Sequence, residues 1–327
     1  MNKKTPFIPL LLLVTLLSCS TEQSGKVASS ASNAKDSSRL NIAVYPSKGC
    51  LPLYYAEAKG NYPHIMSFMH LNTMEDCDTA LIHHSAHLAF TDLARLLCMR
   101  KDGFRATAVA QIPTRWTLFT AKGKRISTVK QLKERLVALA RHSETDYLSD
   151  KMLQGTELEQ LDVFRTQFND HRLRMDMLTQ GLVEGAFLDE PFATVARERG
   201  TTPIWESDTL QPGWAVLAVS TTLLSDSLQK AQVRQLIALY QQAAEEIRTH
   251  PDTLLLNQIL KRHYKLPHAE VDTLPGLLRR TALRQLPLQS VSEEAVQAAK
   301  AWLTNRKWIT KSLKTDSLFT PQFFNQC

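Results

Sequence analysis

The stretch "LVEGAFLDEPFATVARERG", residues 182–200, contains a short apolar run that ends abruptly in two carboxylates and a proline. Pro191 suits the first position of a helix, because its missing N–H would have no partner there. Asp189 or Glu190 can cap that helix and favour its positive end, and Gly200 suits the position after its last turn. The stretch therefore predicts a strand, an acidic corner and a helix.

The same plan occurs at three other places in the chain. "LNIAVYPSKGCLPLYYAEAKG" (40–60), "AHLAFTDLARLLCMRKDG" (86–103) and "RLVALARHSETDYLSDKMLQG" (135–155) each have an apolar strand, a polar corner and a helix that ends at a glycine. Strands that alternate with helices of this length predict an α/β fold with parallel-type sheets and helices on their faces.

Beyond about residue 220 the character of the chain changes. Val233, Leu236, Ile237 and Tyr240 recur at helical spacing. This predicts a helical C-terminal part, with further helices around 252–264, 273–284 and 292–304, that packs on the preceding sheet structure.

Polar residues stand at each of the four corners. In open parallel sheets, ligands bind beyond the carboxyl ends of the strands, where the N-termini of helices converge. We therefore predict a shared ligand site. Its candidate corner residues are Ser47, Thr91, Asp92, Ser143, Thr145, Asp146, Asp189 and Glu190. The alternative is that these side chains only cap their own helices.

Several further residues lie next to the predicted corners or crossings. Tyr54, Trp116, Phe192 and Trp214 are candidates for stacking on a flat ring, and the alternative is that they pack in a core or hinge. Arg115 either pairs with a corner acid or holds an acidic part of the ligand.

The N-terminus has the form of a processing signal. Lys3 and Lys4 precede an apolar run at 7–17, which is shorter than the ~20 residues that a membrane-spanning helix needs. The run ends in "LLSC", which resembles the lipobox of bacterial lipoproteins. We predict a signal peptide at 1–18, a lipidated Cys19 and a flexible Ser-rich tether at 19–39. The alternative is an uncleaved anchor or an ordinary buried cysteine.

The charge, the cysteines and the histidines argue against nucleic-acid binding, disulfide bonds and a metal site. The formal net charge of +7 is mild and spread along the chain, so we predict no binding to nucleic acid. The other cysteines lack metal-finger spacing, and we predict no disulfide among them: Cys50, Cys77, Cys98 and Cys327. His83 and His87 are four residues apart, but "HHSAH" (83–87) looks like a loop that leads into a strand. We predict no cofactor and no metal, with a metal-binding lipoprotein as the alternative.

With these residues in place, the chain resembles a type 2 periplasmic binding protein. Within that fold it resembles the solute-binding family that includes thiamine-pyrimidine, sulfonate and nitrate importers. "GLVEGAFLDEPFATVARERG" (181–200) is similar to that family's G-x-(V/I)-(D/E)-A-x-x-x-EPF segment, and "AWLTNRKWI" (301–309) resembles its closing Trp-Leu helix. The compressed region 61–85 departs from the pattern, because no strand and no Gly-Asp can be recognised there.

The resemblance implies two α/β lobes that trap a ligand by hinge closure. It places the first part of lobe I at 40–117, lobe II at 118–214, and a crossover with returning C-terminal helices at 215–327. The crossings would fall near "QIPTRWTLFT" (111–120) and "QPGWAVLAVS" (211–220).

These observations predict a monomeric extracytoplasmic lipoprotein, anchored to a bacterial membrane through Cys19, that delivers a small solute to an ABC permease without making or breaking a bond. The corner acids suit a donor-rich nitrogen heterocycle, such as an aminopyrimidine vitamin precursor, because buried carboxylates repel oxyanions. The alternatives are a sulfonate or nitrate binder, a fold-related pyrimidine synthase or dehydratase, and a partner-binding lipoprotein that has lost ligand capture.

Overall fold

The computed structural model describes residues 39–207, 213–273 and 287–324. The strands in these ranges are β1 (Leu40–Val44), β2 (Met66–His70), β3 (Leu88–Asp92), β4 (Ala106–Gln111), β5 (Thr117–Thr120), β6 (Leu136–Leu139), β7 (Phe164–Gln167), β8 (Gly185–Leu188), β9 (Thr202–Glu206) and β10 (Ala215–Ser220). The helices are α1 (Leu51–Ala58), α2 (Met74–Ile82), α3 (Leu93–Lys101), α4 (Glu144–Lys151), α5 (His171–Thr179), α6 (Phe192–Glu198), α7 (Ser227–Thr249), α8 (Thr253–Arg262), α9 (His268–Thr273) and α10 (Glu293–Asn305).

The four predicted strand–corner–helix units are confirmed as β1–α1, β3–α3, β6–α4 and β8–α6. In the last unit Pro191 is the N-cap residue, and the Glu190 carboxylate accepts a hydrogen bond from the Thr194 N–H at 3.2 Å. Gly200 follows α6 with φ of +88°, a conformation that glycine adopts without steric cost. Local sequence signals therefore set the start and the end of this helix.

The strands form two five-stranded sheets, ordered β2-β1-β3-β10-β4 and β7-β6-β8-β5-β9. The strands of the repeated units pair in parallel, as predicted, but both sheets are mixed. β10 runs antiparallel to β3 and β4, and β5 runs antiparallel to β8 and β9. β5 and β10 each arrive from the other sheet without a crossover helix, so nothing requires them to run parallel to their neighbours.

The two-lobed α/β arrangement agrees with the predicted fold class. The chain passes from the first sheet to the second between Gln111 and Thr117, and it returns between Glu206 and Ala215. Residues 208–212 of the return lie outside the described part. The lobe limits at 40–117 and 118–214 stay a prediction. The signal peptide, Cys19 and most of the tether lie outside the described residues, as does most of the predicted helix at 273–284.

The compressed region 61–85 contains a strand and a helix that the sequence reading missed. β2 pairs in parallel with β1 along its whole length, and α2 begins with a capping box between Thr73 and Asp76. β2 reads "MSFMH", and only Met66 in it is buried, so it lacks the continuous apolar run of the other parallel strands. His83 and His84 follow α2, and the His87 Nδ1 accepts a hydrogen bond from the Asn41 N–H.

Buried apolar side chains fill the space between the sheets and their helices. Cys50, Cys77 and Cys98 are free thiols, and Cys327 lies outside the described residues. No helix within the described ranges is long and apolar enough to span a bilayer. Nor do those ranges contain a group of His, Cys, Asp or Glu side chains arranged to hold a metal ion.

Candidate functional site

A small cavity lies between the two sheets, where β1, β3 and β4 end and where β5 and β10 begin. Its volume is about 30 Å³, room for ~two water molecules, so a larger solute needs the sheets to separate. The residues that line it are Tyr45, Ser47, Lys48, Gly49, Phe90, Thr91, Ile112, Pro113, Thr114, Trp116, Asp189 and Ala215. Four predicted site residues are among them: Ser47, Thr91, Trp116 and Asp189.

His171 is the buried imidazole at the centre of this region. It is the first residue of α5, and its ring makes edge contacts with Tyr45 (5.7 Å between centroids), Trp116 (5.4 Å) and Phe192 (6.0 Å). Its Nδ1 lies 3.1 Å from Asp189 Oδ1. Tyr45 directly follows β1 of the first sheet, and His171 begins the helix that follows β7 of the second sheet. This ring cluster therefore joins the two lobes.

Sequence reasoning missed His171 and considered 83–87 instead. A signal was present, since "FRTQFNDHRLRM" (164–175) is a fifth strand–corner–helix unit, β7–α5, with Asp170 capping the helix by accepting the Leu173 N–H at 3.0 Å. The weak apolar character of β7, whose residues are half-buried or exposed, hid that unit.

Asp189 is a buried carboxylate. Its Oδ1 lies 3.1 Å from His171 Nδ1 but forms no hydrogen bond of normal geometry with it or with any other described residue. Behind it lies the fully buried Arg174, whose guanidinium donates to the carbonyl oxygens of Phe168 (2.8 and 3.0 Å) and Phe187 (2.9 Å). Burial lowers the pKa of Arg174 to about 10, and the charge of Asp189 opposes that effect. Arg174 therefore fixes the strand ends that carry Asp189 and adds positive charge beside it.

Asp92 caps two helices at once. Its Oδ1 accepts the Arg95 N–H in the first turn of α3, and its Oδ2 accepts the Glu144 N–H at the start of α4, both at 2.9 Å. Burial raises the pKa of Asp92 to about 7, and these two N–H donors oppose the shift. Since α3 follows the first sheet and α4 the second, one carboxylate bridges the lobes.

Glu144 is a second residue that sequence reasoning missed. Its carboxylate accepts hydrogen bonds from Thr114 Oγ1 (2.8 and 2.9 Å) and from Trp116 Nε1 (3.0 Å). Burial raises the pKa of this carboxyl group as well. The sequence gives no local signal for this arrangement, because the donors lie about 30 residues away in the crossing segment.

Three other predicted site residues make hydrogen bonds or ion pairs with residues close to them in the chain. Ser143 Oγ donates to the Ala140 carbonyl oxygen, and Thr145 Oγ1 accepts the Ala140 N–H. Asp146 pairs with the Arg141 guanidinium at 3.2 Å. None of these three lines the cavity, so the structure does not bring them to it.

Arg115, Tyr54 and Trp214 also lie away from the cavity lining. Arg115 pairs with Glu206, at the end of β9, and not with a corner acid. Tyr54 packs against the rings of His70 and His263. Trp214 stacks on Tyr147, with ring centroids 4.1 Å apart.

The model of one protein family matches residues 66–250, more than half of the chain. Its description is "ABC transporter, phosphonate, periplasmic substrate-binding protein". The chain belongs to this family. A comparison with curated proteins gives no match for this substrate-binding protein.

Solved structures agree with the fold of this substrate-binding protein. The alkanesulfonate-binding protein SsuA from Xanthomonas axonopodis pv. citri, bound to MOPS, has a TM-score of 0.70 at 15% identity, covering 86% of this chain and 98% of its own. The aliphatic sulphonate binding protein SsuA from Escherichia coli has a TM-score of 0.67 at 16% identity, covering 86% and 95%. The nitrate-binding protein NrtA from Synechocystis PCC 6803 has a TM-score of 0.68 at 12% identity, covering 88% and 87%.

At these identities the likeness shows the fold alone. It confirms the two-lobed periplasmic binding protein architecture that the resemblance implied. Together with the family match, it makes this chain a periplasmic solute-binding protein of an ABC transporter.

Proposed function

We propose that this substrate-binding protein captures a small, donor-rich nitrogen compound of the aminopyrimidine kind between its lobes and passes it to its permease. The observation that supports this most is the buried Asp189 at the cavity wall, whose Oδ1 lies beside His171 Nδ1 without a hydrogen bond of normal geometry. A buried acceptor without a partner costs free energy, and an amino group on the solute would remove that cost. The aromatic residues Tyr45 and Trp116 also line the cavity, where a flat ring could stack on them.

The charges around the cavity support the same solute class. The carboxylates of Glu144 and Asp189 are both buried near the interlobe boundary. An oxyanion that approached them would meet like charge in a region of weak screening. A neutral or cationic amine would meet attraction instead.

A small oxyanion is the second candidate, and two observations favour it. The family is described by its phosphonate-binding members, and Lys48, a cation, borders the cavity. On this alternative Lys48 and His171 would hold the anionic group of a phosphonate, sulfonate or nitrate.

Thermal unfolding of the purified mature chain distinguishes the two. A ligand that binds only the folded state raises the midpoint with concentration. We expect 4-aminopyrimidine-type compounds to raise it, and methylphosphonate, methanesulfonate and nitrate not to. Asp189→Asn should abolish the response, whereas Asp102→Asn, at an exposed position on the same molecule, should keep it. A response to the oxyanions alone would contradict the amine proposal and favour the second candidate.

We also propose that the mature protein is a monomer anchored by a lipid on Cys19, with the Ser-rich segment as its tether. A protein that passes solute to a permease gains from being held at the membrane, where its effective concentration is high. Cells fed labelled fatty acid should label the wild-type chain and not Cys19→Ala, which should leave the membrane fraction. An unlabelled wild-type chain would contradict the anchor.

A further inference from the structure

The Glu144 carboxylate accepts hydrogen bonds from the chain in the way that a bound anion would. Both of its oxygens accept from Thr114 Oγ1, and Oε2 also accepts from the indole N–H of Trp116. Both donors come from the segment that crosses from β4 of the first sheet to β5 of the second, so this crossing is fastened to one carboxylate.

Its surroundings have the chemistry of an oxyanion site. The two donors, a hydroxyl and an indole N–H, are both neutral and both directed at the same carboxylate. Glu144 also occupies the first turn of α4, where the partial positive charge of a helix N-terminus favours an anion. Glu144 is only 7% exposed, so water contributes little to holding its charge.

This carboxylate lies against the interlobe cavity. Thr114 and Trp116, its donors, line that cavity, as does Asp189. An oxyanion entering there would find these donors already engaged and would meet the negative charges of Glu144 and Asp189. Both effects lower its affinity, because buried like charges are costly to bring together.

We propose that Glu144 is a specificity-determining residue whose carboxylate fills, from within the chain, a latent oxyanion site made by Thr114 and Trp116. The inference deepens the proposed function, since it gives the physical reason for rejecting anionic solutes. Removing the side chain should free the two donors, remove one negative charge and convert the cleft into an acceptor of small oxyanions.

The test compares wild type, Glu144→Ala and Glu144→Gln in calorimetric titrations with methylphosphonate, methanesulfonate, nitrate and acetate. Glu144→Ala vacates the site, and we expect it to bind at least one of these anions about tenfold or more tightly than wild type, with acetate as the direct replacement for the lost carboxylate. Glu144→Gln removes only the charge and should show a smaller gain. Glu245→Ala, an exposed glutamate on α7, is the matched control and should equal wild type.

The inference is overturned if neither Glu144 variant binds any of the four anions more tightly than wild type. Circular dichroism checks folding, and if Glu144→Ala does not fold, the isosteric Glu144→Gln decides the outcome alone. The amine titration of wild type is a separate measurement. If wild type binds no amine but the Glu144 variants gain affinity for an anion, the proposed solute is rejected and the proposed role of Glu144 is kept. If wild type binds an amine but the variants gain no affinity for an anion, the proposed solute is kept and the role of Glu144 is rejected.

Discussion

Two aspartates at the interlobe boundary have opposite surroundings. Asp150, on α4, receives four hydrogen bonds, from Arg165 Nη2 (2.8 Å), Arg306 Nη2 (2.6 Å), Arg306 Nε (3.0 Å) and Trp302 Nε1 (2.7 Å). Asp189 lies at the cavity, where its Oδ1 has the imidazole Nδ1 of His171 3.1 Å away but no hydrogen bond of normal geometry.

The different surroundings indicate that Asp150 contributes to stability and that Asp189 is available to a solute. Asp150 ties the second sheet to α10 through complete pairing, which leaves it nothing to offer a solute. Asp189 has an oxygen that the protein does not satisfy with a hydrogen bond of normal geometry, and such groups are more typical of binding sites than of structural networks. Each of the following measurements tests this division.

The largest expected effect belongs to Asp150→Ala. It leaves the nearly buried Arg165 and the partly buried Arg306 without their carboxylate. Removing one partner of such a pair destabilises by about 3 kcal/mol or more, because an uncompensated charge remains. Urea unfolding monitored by circular dichroism measures the loss, with Asp102→Ala as the exposed control. A loss below about 1 kcal/mol would mean that the network is not structural.

The second effect is a dependence of stability on pH through Asp92. Its pKa is about 7 in the fold, whereas an unfolded aspartyl group titrates near ~3.9. Between these values the folded chain holds a proton that the unfolded chain has lost. The stabilisation is therefore complete below the lower value and is lost as pH rises towards 7, by up to ~1.4 kcal/mol per pH unit for one proton.

Unfolding free energies between pH 4.5 and 7 at constant salt check this dependence. Glu144 and Asp146, whose pKa values are also raised by burial, contribute with the same sign. Asp92→Asn should therefore reduce the slope without removing it. A stability that rises with pH over this interval would show that Asp92 stays ionised in the fold.

The smallest effect is expected for Asp189→Asn. Removing the charge of a carboxylate whose Oδ1 makes no hydrogen bond of normal geometry should change the free energy of unfolding by less than about 1 kcal/mol, in contrast with Asp150. The same urea unfolding measures it. A loss as large as that of Asp150→Ala would show that Asp189 is structural and would remove the distinction between the two aspartates.

The sequence predicts the local strand–corner–helix units well, but it predicts contacts between distant parts of the chain poorly. The strand–corner–helix units depend on apolar runs, caps and glycines within about 20 residues, and they are found where expected. Ser143 and Thr145 were sound candidates by position, but their hydroxyls serve their own turn. A polar residue at a corner can satisfy either the backbone or a solute, and its sequence position alone does not decide which.

The residues that the sequence did not reveal have partners far along the chain. Glu144 is bonded to Thr114, 30 residues away, and to Asp92, 52 residues away. Asp150 meets Trp302 at a separation of 152 residues. β2 and β7 were missed because they lie at the sheet edges, where fewer side chains are buried and the apolar pattern weakens.

The carboxylate that Asp92 shares between α3 and α4 has a consequence for how the cleft opens. When the lobes separate, the Glu144 N–H moves away and water reaches Asp92, so its pKa falls back towards the ordinary range. At a pH between that range and 7, we therefore expect opening to release a proton and closing to take one up, so that acid favours the closed arrangement of the lobes.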